Sequence, residues 1–143
     1  MEEKDFIDIL WKYFELHSNQ RMQMINFSLV VHSLLITVLI GLFTSNSAVD
    51  LTQYKILVCI SLIVFSFIFY MLDRRTKEMI KNCEESLKAV EQKYASEVDE
   101  NFLIFTMEEG KTKNSWTLSY TKSLSLGYLF FVIFAIVCLL IIA

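Results

Sequence analysis

Apolar residues fall along this chain in three long blocks separated by polar stretches. A helical bilayer crossing takes about 20 mostly apolar residues, because the helix rises about 1.5 Å per residue through about 30 Å of hydrocarbon. Three segments meet that requirement: INFSLVVHSLLITVLIGLF over 25–43, ILVCISLIVFSFIFYML over 56–72, and LSLGYLFFVIFAIVCLLIIA over 124–143. The chain has no proline, and its glycines are Gly41, Gly110 and Gly127, so little interrupts helix propagation. The predicted fold is an all-α membrane protein. It has transmembrane helices over 25–43, 56–72 and 124–143, an external loop over 44–55, and a cytoplasmic layer of amphipathic, coiled-coil-like helices from 1–24 and 73–123.

Orientation follows from the basic residues, which are retained on the cytoplasmic side. Lys4, Lys12 and Arg21 precede the first span, and Arg74, Arg75, Lys77, Lys81, Lys88, Lys93, Lys111, Lys113 and Lys122 lie between the second and third. Between the first two spans there is Lys55 alone. The amino terminus and the 73–123 segment are therefore expected in the cytoplasm, and the carboxyl terminus on the external side. The opening MEEKDFIDILWK is acidic and amphipathic, unlike a secretory signal, so no cleaved leader is expected.

Within 1–24, Lys4, Asp8, Lys12, Glu15 and Asn19 recur at helical spacing opposite a crowded apolar side. Such a helix lies flat on the inner leaflet with Trp11 dipped in, or packs upright on another helix. With no breaker before the first span, one continuous helix from about residue 5 to 43 is expected. Beyond the second span, Ile80, Cys83, Leu87, Val90 and Tyr94 recur at alternating spacings of 3 and 4, a short heptad seam. That seam serves packing on the amino-terminal helix of the same chain or contact between subunits. Trp11, Arg74, Arg75 and Trp116 are the candidate interfacial anchors.

Composition narrows the function classes. The chain is 55% hydrophobic and 14% aromatic over 143 residues, which suits lipid better than water as solvent. Its formal net charge is -3 with dispersed basic residues, which argues against direct nucleic-acid binding. Cys59, Cys83 and Cys138 stand far apart with no CxxC pair, so neither a disulfide framework nor a metal site is expected. There is no glycine-rich phosphate loop, no GxSxG, and no converging nucleophile and base, so neither a cofactor nor enzymatic activity is expected.

The first span carries the polar residues that raise a functional question, since such groups are costly in hydrocarbon. On a wheel of about 100° per residue they form two lines. His17, Arg21, Ser28 and His32 fall within about 60° of one another, and Asn26, Ser33, Thr37 and Thr44 fall within about 40° on nearly the opposite side. Span three has no such line. Two readings stand: these groups stitch helices together inside the bundle, with His32 neutral and partnered, or one line faces a water-filled axis enclosed by several copies. A single chain with three spans cannot enclose a useful pore, so conduction requires an oligomer.

WKYFELHSNQRM, then NF opening the first span, then SFIFYMLDRRTKEMIKNCEESLKAVE leaving the second, resemble small bacterial membrane effectors. These are the SLATT-type and RipA-like octameric membrane proteins, which look like the transmembrane effectors of retron and CRISPR-associated phage defence. The likeness covers about residues 10–95. It implies an abortive-infection effector that oligomerises and permeabilises or depolarises the inner membrane when a partner senses phage. It also implies that Arg21 and Asn26 mark the mouth of the assembly, and that Asp73 and Arg74 mark the emergence of the second helix. No fused sensor domain is expected in this chain, so a separately encoded sensor is expected to supply the trigger.

The leading expectation is thus a homo-oligomeric, pore-forming or depolarising effector in the bacterial inner membrane. His17, Arg21, Asn26, Ser28, His32, Ser33 and Thr37 are the candidate pore-lining or interface residues. The alternative is a non-conducting adaptor that recruits a soluble partner through its cytoplasmic helices.

Overall fold

The computed structural model describes residues 3–46, 49–94 and 120–142. They form three α-helices: α1 (Glu3–Thr44), α2 (Thr52–Tyr94) and α3 (Tyr120–Ile142). All three contain stretches long and apolar enough to cross a membrane. α1 and α2 are each about twice the length a crossing demands, so each carries one apolar and one amphipathic portion. The expected continuity of the amino-terminal helix with the first span is what α1 displays. At the start of α2, Asp50 accepts a hydrogen bond from the Thr52 amide at 2.9 Å, capping donors that the helix leaves open. Hydrogen bonding from the Thr52 hydroxyl and from its amide holds the Asp50 carboxyl below its ordinary value, with the Lys55 charge acting the same way.

The chain divides into two compact units, each built from portions of α1 and α2. The first comprises residues 1–22 and 74–119. Here the seam Ile80, Cys83 and Leu87 is buried, with Val90 half-buried. The Cys83 thiol donates to the Leu10 carbonyl at 3.1 Å, so the seam packs against the amino-terminal helix of the same chain. Burial pushes the Cys83 thiol up from its ordinary value and neighbouring Glu84 adds to this, while the Phe14 backbone works the other way. The polar flank of α2 carries ion pairs one turn apart, Arg74 with Glu78 and Lys81 with Glu85, as a solvated helix surface does.

The second unit comprises residues 23–73 and 120–143 and is a three-helix bundle. Lys55 lies over the Phe43 ring at 4.8 Å, and His32 bonds Ser66, so α1 and α2 run antiparallel. His32 stacks on Phe131, and Leu39 shares a core with Ala135 and Cys138, so α3 runs parallel to α1. The core is Leu39, Cys59, Leu62, Ala135 and Cys138. Small residues at its centre let helix backbones approach, which matters where lipid removes the usual hydrophobic drive between helices. Most of each span remains on the protomer surface, and that surface is apolar.

Trp116 lies outside the described residues, as does the side chain of Tyr94.

Candidate functional site

His32 is the most deeply placed polar residue of the first span, with 0% of its surface exposed. Its Nδ1 lies 2.7 Å from the Ser28 carbonyl, which can only accept, so Nδ1 carries the proton. In the neutral ring Nε2 is then an acceptor, and the Ser66 hydroxyl of α2 donates to it at 2.8 Å. The Ser28 hydroxyl stands farther off, at 3.4 Å from Nδ1. Phe131 of α3 covers the ring face, with centroids 4.2 Å apart and planes 24° from parallel. One imidazole thus touches all three helices of the second unit, with both ring nitrogens engaged. That satisfies the requirement for a polar group away from water.

The two polar lines of α1 have separate surroundings. In the first line Ser28, His32 and His17 are buried and Arg21 is half-buried. His17 belongs to the first unit, where its Nδ1 meets the Gln20 side-chain oxygen at 2.9 Å and its ring packs edge-on against Tyr13 at 4.2 Å. In the second line Asn26, Ser33, Thr37 and Thr44 are all exposed. Three of these give their hydroxyl hydrogens to their own helix: Ser33 to Val30 O at 2.8 Å, Thr37 to Ser33 O at 2.8 Å, and Thr44 to Ile40 O at 3.0 Å. What they present outward is acceptor lone pairs.

Of the anchors, Trp11 is half exposed and stacks on Phe14 at 5.7 Å, and Arg74 and Arg75 are exposed. Asp73, one residue before them, is buried. Two site residues escape a reading of the first span alone, Ser66 and Phe131, because they are its partners on other helices. Ser66 had a signal: it sits seven residues before Asp73 and in line with Cys59 and Leu62, on the one buried stripe of α2.

Chemically, the arrangement contains a stitched interior and an outward polar line. Among the described residues, no group of three or more His, Cys, Asp or Glu side chains stands close enough to hold a metal ion.

Comparison with known proteins adds to this. CD-NTase-associated protein 19 of Escherichia coli is 33% identical over 134 residues, covering 90% of this chain and 80% of that protein. No solved structure matches the chain. The model of the octameric membrane protein family, 8xMP, matches residues 4–143, and the chain accordingly belongs to that family of homo-oligomeric membrane proteins.

Proposed function

We propose that the chain is an effector of bacterial anti-phage defence that assembles in the inner membrane and conducts or depolarises, without catalysing a reaction. Its amino terminus is cytoplasmic and its carboxyl terminus external, as the basic residues flanking the spans favour. The observation that carries the reading is the exposed line of Asn26, Ser33, Thr37 and Thr44 on a span otherwise surrounded by apolar surface. The protomer has its own buried polar centre at His32, so stitching within the protomer does not call on this second line. Facing a shared axis in an octamer, the line would meet water. The defence setting is supported by the relative named for its association with a CD-NTase. A CD-NTase encoded beside this chain would fill the place of the separate sensor.

The adaptor alternative draws on the cytoplasmic seam. Because Ile80, Cys83 and Leu87 are buried within the protomer, that seam offers a soluble partner little free surface, which favours conduction.

The test is membrane potential and propidium entry in cells expressing the chain with its genomic neighbours under phage challenge. Collapse of the potential, lost on Asn26→Leu with insertion unchanged, is the expected result. A potential that stays intact under every trigger would falsify the reading.

A further inference from the structure

The family is octameric, and eight copies need a contact that closes. The same flanking charges orient every copy in the bilayer, so two-fold axes in the membrane plane are excluded and the ring is cyclic. Neighbours in a cyclic ring meet by two different patches, one on each side of the protomer.

One patch is a groove of about 260 Å³ between α1 and α3, lined by Leu29, Leu124, Gly127 and Phe131 among others. Small-molecule pockets begin at about 300 Å³, so the groove suits inserted side chains better than a ligand. Its floor is open at Gly127, where an added Cβ would meet nothing within 4 Å. On the helical wheel Leu29 falls about midway between the buried His32 line and the exposed Asn26 line. The groove therefore lies on a flank of the protomer, beside the face assigned to the axis.

The other patch is on α2. Cys59, Leu62, Ser66 and Phe69 are buried, and Ile60, Val64, Phe67 and Met71 recur on the opposite side at spacings of 4, 3 and 4. All four are exposed, Phe67 at 62% and Met71 at 48%.

Rotation about the membrane normal keeps every residue at its own depth, so the two patches must be level. The pairs His32 with Ser66 and Phe43 with Lys55 put α1 and α2 residues level when their numbers add to about 98. His32 with Phe131 puts α1 and α3 residues level when their numbers differ by about 99. Gly127 is then level with Ser28 and with the turn of α2 that holds Met71, and Phe131 is level with Phe67. Helical side chains lean toward the helix amino terminus, which brings Met71 over the middle of the groove's depth.

We propose that neighbouring protomers of the octamer meet by the outer face of α2, through Phe67 and Met71, entering the α1/α3 groove at Gly127 of the next copy. The contact rests on the octameric family and on the Asn26 line facing the axis, and it stands whether or not that axis conducts.

Two measurements test it. The three native cysteines are buried, so the wild-type chain serves as a blank for thiol cross-linking. Met71→Cys combined with Gly127→Cys, oxidised in membranes, should give a ladder of covalent multimers reaching eight copies, and neither single variant should. Gly127→Phe fills the groove from within the protomer; it should stay helical and inserted yet fall below octamer mass in detergent, while Leu129→Phe, exposed on the opposite face of α3, stays octameric. No ladder from the double variant overturns the contact, and so does an octameric Gly127→Phe. Lipid retained in the groove of an intact wild-type octamer would overturn it as well.

Discussion

His32 of α1 and Ser66 of α2 are joined at 2.8 Å through the acceptor nitrogen of a ring whose other nitrogen is held by its own helix. The pair ties two helices where hydrocarbon offers no competing water. Interhelical hydrogen bonds in membranes are worth about 0.6 kcal/mol on average, with a maximum near about 1.7. Ser66→Ala should cost about 0.6 kcal/mol in reversible unfolding in bicelles, and His32→Leu about 1 to 2 because the Phe131 stack also changes. In a double-mutant cycle the two should couple by about 0.6 kcal/mol. Strict additivity would show that the bond contributes nothing.

Along the exposed line, Thr37→Val preserves shape and removes the hydroxyl, and Ser33→Ala does nearly the same. Their hydrogens are bonded to the helix itself, so neither change should reduce folding or insertion measurably. Both should lower ion flux through the assembled protein, and Asn26→Leu should abolish it. Single-channel recording of reconstituted protein decides this, with His32→Leu as the contrasting variant that loses stability first.

The same bonds bear on selectivity. With the hydroxyl hydrogens of Ser33, Thr37 and Thr44 committed to backbone carbonyls, the oxygens face outward as acceptors. Acceptors replace the hydration of cations and not of anions. In a potassium chloride gradient the reversal potential should lie toward potassium. A reversal potential toward chloride would count against this lining.

Cys83 supplies a pH dependence. Its thiol is pushed above the ordinary value of about 9.0, chiefly by burial. The stability it contributes is complete below the unfolded thiol pKa and is lost as pH rises through the higher folded value. Unit one should therefore loosen at alkaline pH, with Cys83→Ala less sensitive. Alkylation of Cys83 at pH 8 should be slower than that of a free cysteine and should accelerate when the helices are unfolded.

Much of this was legible in the residues. The three spans follow from apolar blocks with no breaker, and the continuity of α1 follows from the absence of proline and glycine before Gly41. Two polar lines on α1 were visible from periodicity. Which of them turns inward was not, because Ser and Thr serve equally well on either side, and the deciding partners, Ser66 and Phe131, stand on other helices. The groove at Gly127 was invisible for a related reason: a glycine marks missing volume, and only packing shows whether a neighbour fills it.

Hydroxyls that are satisfied by their own backbone are indifferent to what lies beyond them. Acyl chains can cover Ser33, Thr37 and Thr44 in a lone copy without orphaning a donor, and on the proposed arrangement the identical surface would hydrate once a ring closes around it. A chain built this way tolerates two solvents on one face. Under the proposed function such a chain would be laid down in the bilayer copy by copy, and activation would need gathering rather than refolding.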